Sequence, residues 1–175
     1  MEPWHVLVGR IPFEAQRIAS GILREPRKPD LIIAPDGSPY LLRWHLVKSR
    51  VANVYLHLQV ASDPERPLHD HPWDNQSVIL AGGYLEVLCQ DNGSAGGPAI
   101  PIISSFRKAG DVISRKAAEP HRLVLANKAG LPQYALTLFT SGPKIREWGF
   151  WYPEGWVPNY DVVRTENGVS RQERL

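Results

Sequence analysis

From residue 31 to about residue 152, apolar and polar positions alternate with a period of two, in short runs separated by glycine-containing turns. Val54, Leu56, Leu58 and Val60 alternate with Tyr55, His57 and Gln59, which predicts a half-buried strand. Leu31 to Ala34 and Tyr40 to Val47 flank Pro35-Asp-Gly-Ser-Pro39, which predicts a hairpin around an Asp-Gly turn. Further strands are predicted over 74–81, 83–90, 100–106, 111–115, 121–126, 133–140 and 146–152. Gly82-Gly83, Asp91-Asn-Gly93, Gly96-Gly97, Lys108-Ala-Gly110 and Asn127-Lys-Ala-Gly130 separate them. Ahead of the strands, residues 12–24 read as one short helix. Pro12 suits its first turn, and Phe13, Ile18, Ile22 and Leu23 form a broad apolar face. Gly21 weakens that helix, and Pro26 and Pro29 end it.

Many short strands behind one helix predict an all-β sandwich or barrel rather than a parallel α/β sheet. Three segments follow: an N-terminal extension with the helix (1–30), a β-barrel (31–160) and a polar, loosely held tail (161–175). The 175 residues suffice for one domain with a core that needs no disulfides. The 20 basic and 18 acidic side chains leave a net charge of +2, with no basic stripe, so no nucleic-acid or membrane partner is expected. Cys89 is the single cysteine and reads as a small core-strand residue. Met1-Glu-Pro-Trp4 lacks a secretory leader pattern, and no apolar run approaches the ~20 residues of a membrane span. A cytoplasmic location is the expectation, and the sequon Asn75-Gln-Ser77 then carries no glycan.

Three of the six histidines suggest chemistry. His69 and His71 are two apart, so an extended backbone places both imidazoles on one face. Two neutral ring nitrogens converging this way make a bite for a divalent metal. A third ligand must come from another strand, and His121 follows Pro120 at the start of one, with Leu123 and Leu125 on its face.

The surroundings of these histidines resemble the two motifs of the cupin superfamily. His69-Asp-His71-Pro-Trp-Asp-Asn-Gln76, with Gly83 seven residues on, is similar to the first motif. Gly110-Asp-Val-Ile-Ser-Arg-Lys-Ala-Ala-Glu-Pro-His121 is similar to the second, with histidine eleven residues after glycine. The resemblance covers roughly residues 40–140 and implies a double-stranded β-helix (jelly-roll) barrel with one metal inside it. Asp63 stands where that family has glycine, and Lys116, Ala118 and Leu125 replace a proline, a glycine and an asparagine. Gln76 replaces the glutamate ligand, leaving three neutral histidines and a metal charge to be balanced by an anionic, chelating substrate. Gln76 is expected beside the metal, as a weak ligand or a partner to bound water, with Asp74 as a substitute carboxylate.

Three-histidine cupins include thiol and diketone-cleaving dioxygenases. The resemblance therefore implies an Fe(II) oxygenase, with zinc, manganese or nickel as other metals. A metal-dependent isomerase or lyase and a non-catalytic small-molecule-binding cupin are the alternatives. A homodimer is expected by resemblance alone. Tyr55, His57, Trp73 and Arg146 are candidate substrate contacts. His57 and its strand face can equally be an exposed face, and His45 carries the same ambiguity, while His5 reads as a surface residue. Arg43, Arg115, Arg122 and Arg146 are candidates to grip a substrate carboxylate, with strand parity against Arg122. Arg146 opens Arg-Glu-Trp-Gly-Phe-Trp-Tyr-Pro-Glu-Gly-Trp156, which holds three of the six tryptophans and reads as an aromatic plug or a pocket lid. It is similar to a segment of uncharacterised bacterial and phage cupins.

Overall fold

The structure, a computed structural model, describes residues 3–34, 37–63, 67–89, 101–125, 127–128 and 131–160. The turns predicted at 91–93 and 96–97 and the tail from 161 lie outside the described residues. Two helices precede the strands, where one was expected: α1 (Trp4–Gly9) and α2 (Phe13–Leu23). Each follows a proline, Pro3 or Pro12, whose fixed φ leads the chain into the first turn. α2 stops at Arg24, which adopts a left-handed φ of 66°. Ala15 and Ala19 are its buried contacts, and Ile18, Ile22 and Leu23 pack beside them. Phe13 departs from the predicted apolar face and is 78% exposed. Two residues turn a helix by about 200°, which puts Phe13 opposite Ala15.

The strands are β1 (Leu31–Ile33), β2 (Leu41–Val47), β3 (Asn53–Gln59), β4 (Leu68–His69), β5 (Asn75–Cys89), β6 (Pro101–Lys108) and β7 (Val112–Arg115). They continue as β8 (His121–Val124), β9 (Asn127–Lys128), β10 (Leu131–Pro132), β11 (Ala135–Ser141), β12 (Gly149–Tyr152) and β13 (Gly155–Pro158). The predicted hairpin forms, with Leu31 opposite Arg43 and Ile33 opposite Leu41. The predicted strands 74–81 and 83–90 are one long strand, β5, which belongs to two sheets. Its first half lies in the antiparallel order β1-β2-β3-β11-β5-β7. Its second half lies in β6-β5-β8-β4-β12-β13.

The crossing point is Gly82-Gly83. Gly82 has a φ of +70°, and a Cβ there would strike the carbonyl of Tyr134; a Cβ on Gly83 would strike that of Arg107. Gly82→Ala is expected to cost about 1–3 kcal/mol, measured by chemical denaturation, because both the backbone conformation and the close approach need glycine.

The largest apolar cluster lies between the helices and one face of β2, β3 and β11. It joins Leu7, Ile11, Ala15 and Ala19 to Leu42, Trp44, Leu56, Leu58 and Leu136. The aliphatic face of β3 therefore packs under the helices, outside the barrel. The opposite face, with Arg43, Tyr55, His57, Thr137 and Phe139 in register, lines the interior. A smaller inner cluster gathers Ile79, Tyr84, Ile113, Leu125 and Ala135. Cys89 is half-buried at the end of β5. Among the described residues no helix is long and apolar enough to cross a membrane.

Candidate metal centre

His69 ends β4 and pairs directly with His121, the first residue of β8. His71 sits just beyond, anchored by its backbone N–H on the carbonyl of Ala117 at 3.0 Å. The three rings form a near-equilateral triangle, with centroids 5.2 Å (His69–His71), 5.0 Å (His69–His121) and 5.0 Å (His71–His121) apart. One nitrogen from each ring lies within 4.8 Å of the other two. The structure thus brings together the three histidines that the spacing singled out.

Burial, the neighbouring histidines and Arg115 hold His71 well below its ordinary pKa. Burial foremost, with Arg115 and His69, lowers His121 to about 3 despite Glu86 opposing the shift. Both rings are therefore neutral near pH 7 and offer lone pairs, as a divalent metal requires. The donor set fits such an ion, which would supply Lewis acidity and open coordination positions.

Glu86, which sequence reasoning passed over, sets which nitrogen is free. Its side chain is fully buried on β5, with Oε1 3.1 Å from His121 Nδ1. Arg115 donates to the same oxygen through Nε at 2.6 Å and also through Nη2, and Arg107 Nε donates to Oε2 at 2.7 Å. Burial alone would raise the Glu86 pKa, but the His121 hydrogen bond and the Arg115 and Arg107 guanidinium groups bring it down to about 2. An ionised carboxylate only accepts, so the proton of His121 sits on Nδ1 and Nε2 keeps its lone pair. His121 Nε2 lies 2.8 Å from His71 Nε2, so His71 donates in that contact. The available signal was a single charge amid apolar residues, Tyr84-Leu-Glu86-Val-Leu.

Gln76 does not reach this centre. Its side chain is exposed on the outer face of β5 and donates to Ser114 Oγ at 3.0 Å. Alternation along β5 turns Asn75 and Ser77 inward, which forces Gln76 outward. Asp74 is also held elsewhere, by Lys116 Nζ at 2.9 Å and the Ala117 N–H at 2.8 Å.

Arg146 is likewise corrected. Asp70, between the two histidines and fully buried, accepts from Arg146 Nη1 (2.7 Å), Gly149 N–H (2.7 Å), Trp151 Nε1 (3.1 Å) and Trp156 Nε1 (2.9 Å). The Arg146 guanidinium also lies over the Trp156 ring. Its charge therefore secures the β12–β13 hairpin against β4. The tryptophan-rich segment is in this respect a plug fastened to the strand that carries His69.

Trp73 lies against His71, centroids 5.9 Å apart, with a buried indole N–H that has no partner among the described residues. Asn75, inward on β5 and not anticipated, buries both amide atoms with no partner among the described residues. Tyr55 and His57 stack at 5.6 Å on the inner wall, and Phe139 connects His57 (5.0 Å) with His71 (6.3 Å). His45 packs on Tyr55, away from the three-histidine cluster, and His5 is exposed on α1.

No known family profile matches the chain, and no curated protein matches it by sequence. Solved structures do. The DMSP lyase DddQ from Ruegeria pomeroyi aligns at 18% identity over 86% of this chain and 77% of its own, with a TM-score of 0.52. A double-stranded β-helix protein from Klebsiella pneumoniae aligns at 14% identity over 69% and 90%, with a TM-score of 0.45. A cupin superfamily protein from Desulfitobacterium hafniense aligns at 14% identity over 68% and 94%, with a TM-score of 0.43. Two antiparallel sheets sharing β5, with three histidines converging between β4 and β8, give the chain the double-stranded β-helix fold that its two motifs implied.

Proposed function

We propose that this protein is a metal-dependent cupin enzyme acting on a small anionic or chelating molecule, and that it is an Fe(II) dioxygenase akin to the thiol and diketone dioxygenases. One observation carries the reading: three imidazoles converge, and among the described residues no carboxylate joins their cluster. Glu86 is committed to His121 Nδ1 and two arginines, and Asp70 faces the opposite way, toward the β12–β13 hairpin. The charge of a divalent ion held here is left for the substrate to balance. Three protein ligands leave positions for a bidentate substrate and dioxygen. The unpartnered Trp73 indole N–H and Asn75 amide supply hydrogen bonds for substrate, and Tyr55 and His57 form its wall.

The same donors also suit an oxygen-independent lyase or isomerase. That is the second reading, by analogy of fold with the lyase above. Protein purified without a chelating tag should contain stoichiometric metal by elemental analysis, and His121→Ala should abolish it. After anaerobic Fe(II) loading, oxygen uptake should depend on a thiol acid or diketone. Product formed equally without oxygen would replace the dioxygenase with the lyase, and metal unaffected by His121→Ala would remove both.

A further inference from the structure

Three exposed aliphatic side chains stand at one end of the barrel, on two loops that β11 brings side by side. Val47 (51% exposed) and Val51 (73%) flank the tip of the β2–β3 hairpin, and Ile145 (63%) lies in the β11–β12 connection. Ser141, the last residue of β11, pairs with Asn53 of β3 on one side and Asn75 of β5 on the other. Neighbouring strand ends are about 5 Å apart, so the two loops rise from one rim. The Ile145 N–H donates to the Pro72 carbonyl at 2.8 Å, and the Gly142 N–H to that of Asp74 at 2.9 Å. These bonds hold the second loop over the segment that follows His71.

The same rim is basic. Lys48 and Arg50 lie between the two valines, both exposed, and among the described residues neither forms an ion pair. Lys144 and Lys116 also stand here, but Glu147 and Asp74 pair with them. The uncompensated positive charge of the rim is therefore on the hairpin tip. That tip is preformed. Ser49 Oγ donates to the Ala52 carbonyl at 2.6 Å and accepts from the Ala52 N–H at 3.0 Å, and the Ser49 N–H donates to Asn53 Oδ1 at 3.3 Å. A loop closed on itself in this way presents Val51 to a partner at little cost in ordering entropy. The aliphatic groups are set singly among cations on loop tips. The core of a protein interface, by contrast, is one desolvated patch depleted of charge. The interfacial zone of a bilayer takes up separate aliphatic tips, while flanking Lys and Arg stay at the headgroups and gain from anionic lipid.

We propose that the β2–β3 hairpin tip, with Ile145 beside it, docks this protein on the surface of an anionic lipid bilayer. Val47, Val51 and Ile145 enter the interfacial zone, and Lys48 and Arg50 meet the anionic headgroups. The charge pattern along the chain predicts no membrane partner because no single run holds both loops, and the fold joins them. The inference goes beyond the metal reading and does not depend on it. To test it, the full chain is sedimented with vesicles of phosphatidylcholine alone and with vesicles containing roughly a third phosphatidylserine. Wild type is expected to sediment with the second and not the first, and to be released by added salt. Lys48→Gln combined with Arg50→Gln should weaken binding about tenfold or more, and Val51→Ser several-fold with its salt dependence kept. All three positions are exposed, and circular dichroism verifies that the variants are folded. No sedimentation of wild type with either vesicle, equal sedimentation with both, or full affinity in either folded variant overturns the proposal. The comparison of the two vesicles with wild type decides alone if a variant does not fold.

Discussion

Asp70→Ala is expected to destabilise the protein by about 3–5 kcal/mol, because it removes one partner of a buried charge pair. Asp70 is fully buried and receives four donors, all from residues 146–156. Without it, the Gly149 N–H and the indole N–H groups of Trp151 and Trp156 lose their acceptor, at about 1–3 kcal/mol for each group left buried and unpaired. Arg146 is 29% exposed on its side chain and can turn toward water, which moderates the loss. For a chain of this length the melting temperature should fall by roughly 10 °C. Tryptophan emission should shift to the red as the β12–β13 hairpin leaves β4, and metal affinity should fall with it. Emission and metal affinity unchanged from wild type would show that the hairpin is held by other contacts.

Glu86→Gln keeps the shape of the side chain and removes its charge, and it should separate two effects. Arg115, with 5% of its side chain exposed, is left with no counter-ion, and Arg107 loses its partner, for an expected cost of about 3–5 kcal/mol. A glutamine amide can also donate to His121 Nδ1, which moves the ring proton to Nε2 and blocks the ligating lone pair. Metal affinity should therefore fall about 10- to 100-fold, read by competition with a chromophoric chelator. The stability effect has a defined pH window. The Glu86 pKa lies at about 2 in the folded protein against an ordinary 4.5, so its stabilisation is complete above 4.5 and is lost as pH falls toward 2. The stability curves of wild type and variant should accordingly converge across that window. A constant gap down to pH 2 would mean that Glu86 is not ionised in the folded state.

Much of this protein is legible from local pattern. The period of two announces the strands, and the Asp-Gly turn announces the β1–β2 hairpin. The two-residue step from His69 to His71 and the glycine-to-histidine spacing before His121 mark the three residues that the barrel brings together. These signals survive because each depends on neighbours in the chain: side chains alternate along any extended segment, whatever packs on it.

What alternation leaves open is which face is inside, and only packing between distant segments decides that. The aliphatic side of β3 looks like the lining of a core, yet α1 and α2 cover it from outside and the barrel keeps the side bearing Tyr55 and His57. On β5 the inward face changes phase. Asn75, Ser77 and Ile79 point in before the bulge at Leu80, and Tyr84 and Glu86 point in after it. That one-residue slip, imposed where β5 leaves one sheet for the other, puts Glu86 on His121, while Gln76 stays outside on the unshifted part of the strand. Asp70 meets donors that lie 76–86 residues further along the chain. The residue types and their local periodicity specified strands and a histidine triad. The closure of two sheets around a shared, bulged strand determined which buried charges those histidines face, because a side chain's environment is set by whatever covers it, and here the cover comes from far along the chain.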